Sequence, residues 1–138
     1  MLDDGKGGLN ANAVVMKMYY RIKNSKKTFK ILFTGDIEEG AEEEIAKIYG
    51  NKLKCDILKV AHHGSKTSST YEFLQYVKPQ IALIGVGENN TFGHPNEGVL
   101  ERLKKINATI YRTDKDGEIT ITINENGVYK IRCQIKKD

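Results

Sequence analysis

Three histidines and one aspartate carry most of the chemistry available to this chain. His62 and His63 sit side by side in Ala61-His62-His63-Gly64-Ser65, directly after the apolar run Ile57-Leu58-Lys59-Val60. His94 lies in Gly93-His94-Pro95 beyond another apolar run, and Asp36 closes a third in Thr34-Gly35-Asp36. A carboxylate and neutral imidazoles are ligands for zinc, manganese or iron, and a catalytic ion needs about three protein ligands plus an open position for water. Such an ion lowers the pKa of its water toward neutrality. The same side chains transfer protons. All the histidines of the chain fall in two glycine-bearing loops that follow strand-like segments, which argues for a common site.

The residues around them leave several readings open. In an extended segment successive side chains alternate, so one of His62 and His63 faces the site and its neighbour packs or supports it. The sequence does not say which. Gly64 permits a sharp backbone turn. Ser65, Thr67, Ser68 and Ser69 offer hydroxyls to an anionic substrate or cap the next helix, the second being the stronger reading. Ser65 and Lys66 are the substrate-binding candidates. A nucleophilic Ser65 served by either histidine lacks a Gly-x-Ser-x-Gly elbow and is poorly placed two residues from its base. Asp36 can also be a simple helix cap. Asp114-Lys115-Asp116-Gly117 reads as a hairpin turn, because the further oxygen ligands of a calcium loop are absent.

The elements that must position these groups are legible from periodicity. Alternation over 13–22 predicts a strand with Val14, Met16, Met18, Tyr20 and Ile22 on its buried face, and 28–34 returns beside it as a hairpin. A helix over 37–49 places Ile37, Ala41, Ile45 and Ile48 inward, with Glu38, Glu39, Glu42 and Glu43 near its positive end, and Gly50 stops it. A short buried strand spans 56–60. Ser69 or Thr70 caps a helix to about Tyr76, with Pro79 just beyond. A strand over 81–86 leads to a helix capped by Asn96 that buries Val99, Leu100, Leu103 and Ile106, then to a strand over 108–111. The last segments, 118–123 and 128–135, alternate as a closing hairpin with turns at Asp116-Gly117 and Asn126-Gly127. The expectation is an α/β domain over 13–138, a mixed sheet with helices on one face and a C-terminal β-hairpin, after a flexible lead over 1–12. Right-handed crossovers make the central strands parallel, so their C-terminal ends line one edge.

Composition narrows the class. The 138 residues suit one domain, and 39% hydrophobic with 29% charged residues excludes a disordered chain. No apolar run approaches the roughly 20 residues of a membrane span, and no signal-like segment opens the chain. A soluble segment without membrane contact of its own is expected. Cys55 and Cys133 lack ligand-like spacing and read as free thiols. The net charge of +4 and a pI near 9.0 permit a polyanionic partner such as DNA without requiring one.

Thr34-Gly35-Asp36, Leu58-Lys59-Val60-Ala61-His62-His63-Gly64-Ser65, Ile84-Gly85-Val86-Gly87 with Gly93-His94-Pro95, and Tyr111-Arg112-Thr113-Asp114 with Gly117, in that order, resemble the C-terminal half of a metallo-β-lactamase-like hydrolase domain. The version most similar is that of ComEC-type DNA-internalization competence proteins. The resemblance implies the second half of an αβ/βα sandwich, with Asp36 similar to a metal-bridging carboxylate, His94 to the last histidine ligand, and His62 or His63 to the residue that assists substrate binding or protonates the leaving group. The upstream His-x-His-x-Asp-His or His-x-Asp-x-Asp-His signature is absent. Zinc or manganese is therefore expected in the complete domain, with at best a weak mononuclear ion held by this chain alone and no hydrolysis by it in isolation. Expected partners are the missing N-terminal half or a second copy, through self-association, and DNA. By the same resemblance the segment would be an extracytoplasmic domain of a membrane protein. The alternative is a non-catalytic nucleic-acid or protein interaction module that retains remnants of the site.

Overall fold

The computed structural model describes residues 13–135; the expected lead over 1–12 lies outside them. The chain runs β1 (Met16–Arg21), β2 (Thr28–Phe33), α1 (Glu39–Tyr49), β3 (Ile57–Lys59), α2 (Tyr71–Val77), β4 (Ile81–Ile84), α3 (Glu97–Lys105), β5 (Thr109–Arg112), a one-turn α4 (Thr113–Asp116), β6 (Ile119–Ile123) and β7 (Tyr129–Cys133). Strands β1 to β5 form one sheet in sequence order, and β6 pairs with β7 separately. β1 is antiparallel to β2, while β2, β3, β4 and β5 are mutually parallel. The α/β class, the mixed sheet and the closing hairpin are as expected.

Alternation along the strands divides the apolar residues between two faces. Leu32, Leu58, Val60, Ala82 and Ile84 join Phe73, Leu74 and Val77 of α2 and Val99, Leu100 and Leu103 of α3 in the main core. Phe29, Ile57 and Ile81 face the other way, where Ile121, Ile123 and Ile131 of the hairpin cover them in part. Local chemistry fixes the helix ends. Thr70 caps α2 through Phe73 N–H at 3.3 Å, Asn96 caps α3 through Gly98 N–H at 3.0 Å, and Gly50 ends α1 at φ 47°.

Three expectations need correction. The apolar face of β1 is exposed: Met16, Met18 and Tyr20 stand on the sheet face that the hairpin leaves open, and only Ile22 is buried. Alternation identified the strand but not what would cover it. In α1, Ile48 is 72% exposed whereas Glu42 is fully buried. Its carboxylate accepts the N–H groups of Ser69 at 2.5 Å and Thr70 at 2.8 Å, which offsets the cost of burial. Asp114-Lys115-Asp116-Gly117 is no hairpin turn but the helical turn α4, closed by Arg112 N–H donating to Asp116 at 2.7 Å and by a two-pronged Arg112–Asp114 ion pair.

Candidate functional site

Because β2, β3 and β4 are parallel, the loops that leave their C-terminal ends meet at one edge of the sheet. Gly35 adopts φ 54°, and its carbonyl accepts His62 N–H at 3.0 Å, so the loop of Asp36 and the loop of the histidines are tied backbone to backbone. Gly64 has φ 80°, and a Cβ there would lie 2.6 Å from Cβ of Pro95. Only glycine permits that approach. Asn96 N–H donates to Gly64 carbonyl at 2.8 Å, which brings the His94 loop against the doublet.

The doublet does not stay extended. His62 (φ 48°, ψ 43°) and His63 (φ 54°, ψ 21°) are both left-handed, a conformation costly for residues with a side chain and concentrated at functional sites. The alternation argument therefore fails, and both rings serve the same edge. His62 Nδ1 lies 3.4 Å from the carboxylate of Glu38, and its ring stands edge-on to His94 with centroids 5.8 Å apart. His63 Nδ1–H donates to Gly85 carbonyl at 2.6 Å, and its Nε2 lies 3.8 Å from Asp36 Oδ1. His94 is held below the usual imidazole pKa by burial and then by the neighbouring His62 and His63.

The supporting residues explain this geometry. Asn90 holds both backbone groups of His94, accepting its N–H at 2.9 Å and donating to its carbonyl at 2.8 Å, and also donates to Gly87 carbonyl at 3.0 Å. Arg102 of α3 donates to the carbonyls of Ser69 and Ser68 at 2.8 and 3.0 Å, while Glu42 takes the amides of the same loop from the opposite element. Burial raises the pKa of Glu42 despite those bonds. Ser65 is buried, and its hydroxyl pairs with Thr67 at 3.1 Å within the turn; Lys66 is exposed. Lys59 leaves β3 on the same face as Ile57 and lies against Gly85, with Nζ donating to Val60 carbonyl at 3.1 Å. Its pKa is lowered by burial and partly restored by Asp36.

Asp36, His62, His63 and His94 are thus brought together, and Glu38, Lys59 and Asn90 join them without having been singled out in the sequence. A lysine inside an otherwise apolar strand was a signal for Lys59. Glu38 carried none, because an acid at a helix start has an ordinary explanation. The donor chemistry, carboxylate with imidazole, suits zinc or manganese. Among the described residues, however, no group of three or more His, Cys, Asp or Glu is placed to hold an ion.

Comparison with known proteins finds competence proteins among the relatives. The chain is 42% identical over 88 residues to ComE operon protein 3 of Bacillus subtilis, covering 64% of this chain and 11% of the relative. It is 35% identical over 107 residues to Competence protein ComA of Neisseria gonorrhoeae, covering 78% and 16%. The chain is homologous to competence proteins. Recombination protein 2 of Haemophilus influenzae is 36% identical over 91 residues, covering 66% of this chain and 11% of the relative. No family model matches the chain. It spans between 11% and 16% of the length of these relatives, and no described helix is long and apolar enough to cross a membrane.

Proposed function

We propose that this chain is the C-terminal half of a metal-dependent hydrolase domain that acts on phosphodiester bonds of DNA in a competence and DNA-uptake protein. The observation that carries the reading is the meeting of Asp36, His62, His63 and His94 at the C-terminal edge of three parallel strands. Asp36 and His94 are the metal ligands contributed by this half. The remaining ligands would come from outside the chain, from the missing N-terminal half or a second copy, and a zinc or manganese ion held there would supply Lewis acidity at the phosphate.

The chain's own residues divide the other tasks. His62 Nδ1 lies 3.4 Å from the carboxylate of Glu38, which orients the ring, and it is assigned as the proton donor to the leaving oxygen. His63 is held through Nδ1–H by the Gly85 carbonyl, which aims its Nε2 toward Asp36. Lys66 offers a positive charge to the DNA backbone, and Ser65 shapes the turn that presents it. Lys59 adds a second, half-buried cation beside Gly85.

The exposed apolar face of β1 and β2 supports the same reading. Met18, Tyr20, Ile31, Phe33, Ile121 and Ile123 line a groove of about 390 Å³ on the face opposite the helices. The upstream half packs there in the complete domain. The test is to join the segment that precedes this one in its parent protein, add manganese or zinc, and follow cleavage of labelled DNA. Metal-dependent cleavage that Asp36→Ala abolishes and His62→Gln lowers at least about a hundredfold is expected. A folded, completed domain that cleaves nothing and binds neither metal sinks the proposal.

A further inference from the structure

The loop that carries His94 also presents an exposed aromatic ring. Phe92 is 79% exposed, yet its ring is not left to wander. It lies nearly parallel to His94, with an interplanar angle of 22° and centroids 5.8 Å apart. Asn90 closes the loop behind it by binding Gly87 and both backbone groups of His94, so Thr91, Phe92 and Gly93 form a held tip. An aromatic ring presented in this way, with one side against an imidazole of the site and most of its surface in water, has had its ordering cost met before any ligand arrives.

We infer that Phe92 is a stacking platform for an unpaired nucleobase, so that the site takes single-stranded DNA. This rests on the phosphodiester reading above and adds the substrate class. Every base has a flat π face, and stacking on an aromatic side chain is tolerant of sequence. Inside a duplex those faces are occupied by neighbouring bases, so away from duplex ends only an unpaired strand can offer one to Phe92. The exposed Lys66 supplies backbone attraction from the adjacent loop.

The chain contains no tryptophan, so Phe92→Trp creates a single fluorescent reporter at this position. The full chain carrying that substitution is titrated, with chelator present so that nothing is cleaved, against oligothymidylate and against an abasic deoxyribose-phosphate strand of equal length. Oligothymidylate should quench the fluorescence and bind about tenfold more tightly than the abasic strand. In the unsubstituted background, Phe92→Ala should lower affinity for oligothymidylate about tenfold and leave the abasic strand unchanged, while Phe92→Tyr retains binding. Equal binding of the two strands without quenching overturns the stacking role but leaves phosphodiester recognition standing. Unchanged oligothymidylate affinity in Phe92→Ala, duplex bound as tightly as single strand, or no binding of either strand overturns it as well. The hydrolase reading is judged separately, by cleavage in the completed domain.

Discussion

At the scale of single residues, the site works by fixing backbone groups so that side chains have little choice of direction. Asn90 is the clearest case, since its one amide group satisfies both backbone polar groups of His94. Replacing it with alanine should leave the fold intact but loosen the loop, at a local cost of about 1–3 kcal/mol. Hydrogen exchange at the His94 amide should then accelerate at least about tenfold. Unchanged protection of that amide would show that the loop is held by something else. Cys55 lies outside this machinery: burial pushes its thiol up to about 12, so it should stay unreactive to alkylating reagents in the folded protein.

At the scale of elements, two contacts decide how the loops close. Gly64→Ala adds a Cβ into Pro95 at a left-handed position, combining backbone strain with overpacking, and should cost about 2–4 kcal/mol in urea unfolding. A loss well under 1 kcal/mol would mean that the His94 loop gives way easily. The turn α4 is set by Arg112 and Asp114. The guanidinium holds Asp114 below the ordinary carboxylate range, by hydrogen bonding and then by its charge. Because the folded pKa is the lower one, the pair's contribution is whole above the ordinary value of about 3.8 and disappears as pH falls through the folded value. Asp114→Asn should therefore destabilise by about 1–2 kcal/mol at neutral pH and by progressively less as pH falls below about 3.8. A pH-independent difference between variant and parent would rule out the ion pair as its source.

At the scale of the whole molecule, the five-stranded sheet is covered by helices on one side and only partly by the β6–β7 hairpin on the other. Met18, Tyr20 and Phe33 stand at the uncovered part, where water meets apolar surface that an isolated chain has reason to hide. The chain alone should associate with itself, its mean mass in sedimentation rising with concentration. Met18→Lys should shift that association at least about tenfold toward monomer with little loss of stability, because Met18 is already exposed. A parent chain monomeric at all concentrations would argue that the groove between sheet and hairpin is sufficient cover.

The sequence by itself determined the order of the elements, the N-caps at Thr70 and Asn96, the parallel centre of the sheet and the common edge of Asp36, His62, His63 and His94. Those follow from short-range signals: apolar periodicity, capping residues, and the handedness of strand-helix-strand crossovers. Only the tertiary structure decided that both rings of the doublet turn to the same edge, that Glu42 rather than Ile48 is buried, that Glu38 and Lys59 lie beside that edge, and which face of β1 is bare. Each of those depends on atoms distant along the chain. The backbone at His62 is tied to Gly35, and Glu42 is acceptable inside only because Ser69 and Thr70 supply amides to it. Local pattern fixes which segments form, while burial and hydrogen-bond satisfaction, which are properties of the packed molecule, fix what each side chain meets.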